Sequence, residues 1–358
     1  MWSSSSVPCS SPRSRCSSTG SPASWSSWRR RRESDVSIRR LRALTLAGAA
    51  TALLAAGCGL QSSSGAVLSA EPADIEHYDS LEGVPVTIVA KDFTEQLVLG
   101  NMVSTILDVA GADVTNMSNT PGSFGARQAM LDGDADISPE YTGTGWINYL
   151  GNDEPVKGEE EQWQAVLEAD EPNGLVWLPP SPMNNTYAFA IREDKAEELG
   201  VEKFSDLLEL PPEELTFCVE SEFATRNDGF EPMLAAYDLT PGDLADVLTL
   251  DTGVVYTATA EGRCNFGEVF TTDGRIPGLD LRVLEDDRQF FPLYNLSMVV
   301  SADLLDEHPE IQEVLDQVSP LITNEVMLEL NARVDSDGED PAIVARDWLV
   351  EEGLVELP

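Results

Sequence analysis

The chain has 358 residues, 42% of them hydrophobic and 7% aromatic, more than one hydrophobic core comfortably holds. Its formal net charge is −41, from 22 Lys and Arg against 63 Asp and Glu. So acidic a surface repels nucleic acid and anionic lipid, which excludes both as direct partners, and it stays soluble at the ionic strength of a saline habitat, where salt screens its self-repulsion.

The charge is unevenly placed. Residues 1–58 hold nine of the 22 bases and two of the 63 acids, leaving 13 bases against 61 acids, a net of −48, for the rest. The first 35 residues are rich in Ser, Pro and Arg without an apolar period, which predicts disorder. Arg39-Arg40-Leu-Arg42 then precedes an apolar stretch over 43–56. A basic segment followed by a short apolar one reads as an export signal, too short for a stable membrane span. It ends in Leu54-Ala-Ala-Gly57-Cys58, which resembles a bacterial lipoprotein cleavage box with Cys58 as the lipidated residue. Alanine in place of leucine three positions before the cysteine leaves an ordinary signal peptide as the alternative. Gln61-Ser-Ser-Ser-Gly65 and the acidic residues after it read as a flexible tether, so 1–58 is leader and signal and 59–83 the tether.

Cys9 and Cys16 fall in the leader, which leaves Cys218 and Cys264 in an exported and therefore oxidising setting. A disulfide between them is expected; two buried free thiols are the alternative. Histidine occurs only at 77 and 308, neither beside a cysteine, so no zinc site and no other metal or cofactor is expected.

From Val84 onward strands and helices alternate. Val86-Thr-Ile-Val-Ala90 is a short buried strand, and 95–110 a helix with Leu97, Val98, Met102, Ile106, Leu107 and Ala110 on its apolar side. A second strand is expected over 113–117 and a helix over 126–131. Asp132, Asp134 and Asp136 alternate as in a calcium loop but lack its closing glutamate, and read as a solvated turn. The stretch Asp136-Ile-Ser-Pro-Glu-Tyr-Thr-Gly-Thr-Gly145 follows. Pro139 is expected to end strand pairing there, and Gly143 and Gly145 to let the backbone approach something small. A helix over 159–169 leads to a strand over 184–191 that crosses from one lobe to another. Strands over 215–219 and 266–270 belong to the second lobe, 281–284 precedes 286–300, which returns to the first, and helices over 304–333 and 341–352 complete it. Alternation of this kind predicts an α/β fold whose sheets are mostly parallel.

Seven segments carry a resemblance along this order: Lys91-Asp-Phe-Thr-Glu-Gln96, Pro139-Glu-Tyr-Thr-Gly-Thr144, Asn184-Asn-Thr-Tyr-Ala188, Ser221-Glu-Phe223, Arg226, Thr272-Asp-Gly-Arg-Ile276 and Phe290-Phe-Pro-Leu-Tyr294. Together they are similar to the glycine betaine/choline substrate-binding proteins of osmoprotectant ABC transporters, over about residues 84–350. The resemblance implies a two-lobed, periplasmic-binding-protein-like (type II) fold with two hinge crossings. One lobe would comprise 84–187 and 295–358, the other 188–294. It implies a quaternary ammonium held in a cage of Tyr141, Tyr187, Phe270 and Tyr294, with the ligand's carboxylate gripped by Lys91, Thr144 and Arg226. Phe270 departs from the family's usual tyrosine, keeping the ring face without the hydroxyl. The partners implied are a small quaternary ammonium ligand and the permease and ATPase subunits of an ABC importer, served by a monomer anchored outside the bacterial cytoplasmic membrane.

The chemistry of these residue types agrees with that assignment. A trimethylammonium group has no N–H to donate, so hydrogen-bond acceptors cannot recognise it, whereas ring faces attract it by ~1–2 kcal/mol each when desolvated. Neutral rings also avoid burying an unpaired carboxylate, and a cleft poor in acids is expected. Arg226 offers a carboxylate a forked, permanently charged donor and Lys91 a point charge, which favours betaines over choline. Arg226 paired instead with a neighbouring acid is the alternative. Receptors for choline or carnitine are the nearest alternatives in function. An enzyme acting on a quaternary amine is disfavoured, since no Ser/His/Asp or Cys/His set and no phosphate loop is visible.

Overall fold

The computed structural model describes residues 67–152 and 154–358. The export signal, Cys58 and residues 59–66 of the tether lie outside the described residues. The rest of the expected tether is ordered, with Ile75 and Leu81 fully buried in the first core cluster, because its apolar side chains pack on the fold instead of facing solvent. After a short strand β1 (Glu71–Pro72) the chain runs through β2 (Pro85–Lys91), α1 (Thr94–Ala110), β3 (Asp113–Thr120), α2 (Gly122–Asp132), β4 (Ile137–Tyr141), α3 (Glu159–Asp170) and β5 (Leu175–Trp177). A second run follows: β6 (Tyr187–Arg192), α4 (Glu193–Leu199), β7 (Thr216–Glu220), α5 (Phe230–Ala236), β8 (Asp246–Leu250), α6 (Thr252–Ala260), β9 (Phe266–Phe270) and β10 (Leu281–Val283). The chain returns through β11 (Leu296–Ser301) and closes with α7 (Ala302–Glu307), α8 (Glu310–Val318), α9 (Asn324–Asp335), α10 (Pro341–Glu351) and β12 (Val355–Glu356), which pairs with β1.

The strands form two five-stranded sheets, ordered β3-β2-β4-β11-β5 and β8-β7-β9-β6-β10. Written this way they share one design. In each, four strands point one way and a single strand, β11 or β6, is reversed. The reversed strand is in both cases the one that enters from the other sheet. Parallel neighbours need crossover helices, and those helices cover both faces of each sheet. Val98, Met102, Ile106 and Leu107 of α1 therefore pack with Val86 and Ile88 on one face of the first sheet, while Val89, Ala126, Met130 and Trp177 fill the other. In the second sheet Phe189, Phe217 and Phe266 pack with Phe204, Phe223 and Phe230. Cys218 and Cys264 are joined in a disulfide, their Cα atoms 5.8 Å apart, under Val255 and Ala258 of α6.

The two crossings run side by side and antiparallel, bonded from Leu178 N to Met298 O (3.0 Å), Ser181 N to Leu296 O (2.8 Å) and Asn185 N to Tyr294 O (3.2 Å). Neither sheet can move relative to the other without both strands of this double hinge bending.

Three further expectations need correction. Pro139 does not end the strand but sits inside β4, opposite Met298 of β11. It is tolerated because β2 pairs with β4 only at Ile137, and the side facing β2 is met at Pro139 by the Gln96 amide, which donates to the Pro139 carbonyl at 3.1 Å. No sheet donor is lost. Second, α2 begins four residues before the expected start, directly after Pro121. Third, Asp136 is not merely solvated: its carboxylate accepts the Thr87 amide at 2.7 Å, tying β4 to β2.

Candidate ligand-binding site

Between the sheets, against the double hinge, lies a cavity of about 540 Å³, in the range of roughly 300–1,000 Å³ typical of small-molecule pockets. All seven residues expected at the site line it: Lys91, Tyr141, Thr144, Tyr187, Arg226, Phe270 and Tyr294. They come from six separate places in the chain, and the fold brings them together.

Five rings form a continuous arc along one side. Tyr141 faces Phe93 at 6.5 Å between centroids, Phe93 faces Phe270 at 5.3 Å, Phe270 faces Tyr187 at 5.2 Å, and Tyr187 meets Tyr294 edge-on at 5.3 Å. The register of the second sheet explains the middle of the arc. Tyr187 and Phe270 are directly opposite residues of β6 and β9, so their side chains stand on the same face. Tyr141 is the last residue of β4, where the strand turns into a short helical segment carrying Thr144. Tyr294 sits in the second crossing, its amide on Asn184 Oδ1 at 2.7 Å and its hydroxyl on Asp228 Oδ2 at 2.6 Å. Phe93 was not singled out from the sequence as a ring of the site. It lies inside the Lys91–Gln96 segment, and only the turn from β2 into α1 aims it at the cavity.

Burial, with the Glu95 carboxylate beside it, pushes the Tyr141 phenol well above its ordinary pKa. Burial with Glu268 nearby does the same for Tyr187, and burial with Asp228 for Tyr294. The three phenols are therefore neutral at physiological pH, and their faces carry the quadrupole of an un-ionised ring.

The glycines of the motif serve a different neighbour from the one expected. A Cβ on Gly143 would lie 2.7 Å from the Leu293 carbonyl oxygen and 2.8 Å from the Tyr294 ring; one on Gly145 would lie 2.5 Å from the Trp177 indole. The close approach is to the protein itself, and at Gly143 it is what seats Tyr294.

A second, ionic wall is built against the rings, and it is more acidic than the sequence implied. Lys91 Nζ is 2.5 Å from Glu140 Oε1, with both side chains 4% exposed, and 5.0 Å from the centre of the Tyr141 ring. Glu140 also accepts the Tyr141 amide (2.9 Å) and the Tyr149 hydroxyl. Arg226 grips Asp228 through two bonds, Nε to Oδ1 at 2.7 Å and Nη2 to Oδ2 at 2.9 Å, while its guanidinium lies over Tyr187 at 5.1 Å and Tyr294 at 6.0 Å. Both cations expected to await a carboxylate thus already have one. Asp92, Glu220, Glu222 and Asp251 also line the cavity, which overturns the expectation of a cleft poor in acids. In a chain with this charge balance, acids fill polar positions that are not otherwise constrained. Glu222 reaches across from the second sheet to accept the Ser123 amide at the start of α2 (3.0 Å). Burial works against its charge, yet that amide and the nearby cations hold its carboxyl below the usual range.

Among the described residues one trio, His77, Asp79 and Glu82, places potential metal-ligand atoms within 4.8 Å of one another. All three are exposed and none lines the cavity.

Two sheets of shared topology, joined by a double hinge around a ring-lined cavity, define a two-lobed small-ligand-binding protein of the type II periplasmic class. The family described as "Substrate binding domain of ABC-type glycine betaine transport system" matches residues 84–351, and the chain belongs to that family. A glycine-betaine-binding protein of Pseudomonas aeruginosa is 39% identical over 277 residues, 75% of this chain and 88% of the relative. The glycine betaine-binding protein YehZ of Escherichia coli is 31% identical, covering 75% of this chain and 91% of its own length. A solved structure titled as a glycine betaine/carnitine/choline ABC transporter superposes with a TM-score of 0.63 at 29% identity, over 75% of this chain and 98% of the other.

Proposed function

We infer that this protein captures glycine betaine or a related quaternary ammonium osmolyte outside the cytoplasm and delivers it to the permease of an ABC importer. The observation that carries this reading is the arc of Tyr141, Phe93, Phe270, Tyr187 and Tyr294 along one cavity. Five ring faces meeting in a polar, hinge-flanked cavity suit a cation that cannot donate hydrogen bonds. The faces already accept cations from within the protein, since Lys91 lies over Tyr141 and Arg226 over Tyr187. Thr144 and the cationic edges of Lys91 and Arg226 are the groups within the cavity suited to a carboxylate. In this reading 84–187 with 295–358 forms one lobe and 188–294 the other. They close on the ligand as a monomer, and the closed form is what the permease, driven by its ATPase subunits, engages. Cys58, as a lipidated residue, would hold the domain at the outer face of the membrane through the tether.

A second reading has its own support. Glu140 and Asp228 neutralise the two cations, and four further carboxylates line the cavity, so a ligand with positive charge and no carboxylate, such as choline, suits its electrostatics. Titration calorimetry of the chain with glycine betaine, choline and carnitine separates the two. Saturable binding of a quaternary amine that disappears in Tyr187→Ala is the expected result, with the strongest binder naming the ligand. Absence of heat from all three would overturn both readings.

A further inference from the structure

Glu95 lies in the first turn of α1, 3% exposed, and is not among the residues lining the main cavity. Its carboxylate nevertheless collects four donors, two on each oxygen. Oε1 accepts the Tyr141 hydroxyl (2.6 Å) and the Asn185 amide (2.8 Å); Oε2 accepts the Thr272 hydroxyl (2.5 Å) and the Asn331 amide (3.2 Å). An ionised carboxylate has about four lone-pair sites and no proton to give, so four donors saturate it. The donors also bind one another: Asn331 donates to the Thr272 carbonyl at 2.9 Å, and the Thr272 amide points at Asn185 Oδ1 at 3.4 Å. Burial pushes the Glu95 carboxyl up, and these four bonds work against that push. Its place at the positive end of a long helix favours the charge further.

The positions of the partners give the cluster its meaning. Tyr141 is itself a ring of the arc, at the end of β4 in the first sheet. Asn185 lies in the first crossing, two residues before Tyr187. Thr272 follows β9 in the second sheet, two residues after Phe270. Glu95 is two residues after Phe93. One buried carboxylate thus ties together four of the five rings, across both sheets and the hinge. We propose that Glu95 is the positioning residue of the ring arc: it sets the spacing of Phe93, Tyr141, Tyr187 and Phe270, and the arc is complete only when the sheets stand at the angle that brings all its donors together. The inference rests on the quaternary-ammonium reading only where binding is its readout.

Glu95→Gln keeps the volume but turns an NH₂ toward two donors, breaking the convergence. The expected result in the full chain is a loss of about tenfold or more in affinity for glycine betaine, choline and tetramethylammonium alike. It is accompanied by a changed near-ultraviolet tyrosine dichroism in the unliganded protein. Tyr141→Phe and Glu95→Gln combined should lose less than the sum of the two, because one acts through the other. Should Glu95→Gln fail to fold, Thr272→Val removes the second-sheet donor alone. Thr272 does not line the main cavity, so a several-fold loss in that variant supports transmission through Glu95. Unchanged affinity and unchanged dichroism in the variants overturn the inference. If the wild type binds none of the three probes, the functional reading fails, and the dichroism alone decides the positioning role.

Discussion

The two walls of the cavity are built on opposite principles. The aromatic wall is neutral and held by strand register: Tyr187 and Phe270 face each other across β6 and β9, and Tyr141 ends β4. The ionic wall is held by partners. Lys91 is fixed by Glu140, and Arg226 by Asp228, and each of these acids holds a tyrosine of the site region as well. A ring contributes its face wherever the backbone aims it, whereas a buried charge acts only as its partners allow. Affinity should therefore reside mainly in the first wall, and fold stability and ligand choice in the second.

Breaking the ionic wall should have the largest effect. Asp228→Asn leaves the Arg226 guanidinium buried with Glu222 as its remaining acidic partner at 3.3 Å, and weakens the seat of Tyr294. A loss of about 3–5 kcal/mol of unfolding free energy is expected in urea titrations. A loss near the ~0–1 kcal/mol of an exposed pair would mean that the ion pair is not structural. A comparable effect is expected at Glu268, buried on β9 behind the same wall, whose carboxyl is pushed up to about 8 by burial, with Glu220 adding to the rise. Its unfolded value is near ~4.3, so between the two the folded state holds a proton that the unfolded state has lost. The stability this contributes is complete below the lower value and is lost as pH rises through about 8. Glu268→Gln mimics the protonated form. Its unfolding free energy should match the wild type near pH 4 and exceed it at pH 9, a gap on the order of 5 kcal/mol. A gap independent of pH would contradict this account.

The aromatic wall is tested more gently. Phe93→Leu removes a ring face and keeps apolar bulk, so unfolding free energy should change by less than ~1.5 kcal/mol. Affinity for a quaternary ammonium should fall by roughly tenfold, one ring's share. Equal affinity in wild type and variant would remove Phe93 from the arc and return it to packing.

The same contrast explains what the sequence made legible. The rings at 141, 187 and 294 could be carried over because they sit in segments that resemble the family's, and Phe270 because it stands two residues before another, Thr272–Ile276. The βα alternation from Val84 was equally plain, since buried strands and amphipathic helices announce their period. Phe93 was hidden because nothing in its spacing distinguishes a ring aimed at a cavity from one aimed at a core. Lys91 and Arg226 were found, but their saturation was not: Glu140 lies 49 positions from Lys91, and only the pairing of β2 with β4 brings the two together. The strand β8 escaped because it is a largely exposed edge strand, with no alternation of buried and exposed residues to reveal it. Gly143 was recognised as a point of close approach, but what approaches it comes from 150 residues along the chain, beyond the reach of any local pattern.

The smallest expected effect separates the walls by their response to salt. Asp92 and Asp251 are exposed at the cavity, and Glu220 and Glu222 are half-buried, whereas Glu140 and Asp228 are shielded. Charges open to solvent are screened over about 10 Å at 0.1 M salt and about 3 Å at 1 M; buried ones far less. For a cationic ligand the exposed acids should speed encounter, and the rings and buried pairs should set the residence time. Stopped-flow binding of choline in rising sodium chloride should therefore show an association rate that falls several-fold and a dissociation rate that barely moves. Glycine betaine, with no net charge, should show little change in either. Replacing Asp92 and Asp251 together by Asn should flatten the salt response for choline without altering its dissociation. If dissociation instead rises steeply with salt, solvent reaches the Lys91–Glu140 or Arg226–Asp228 pair in the complex, and the division between a neutral wall that holds and a charged wall that chooses no longer stands.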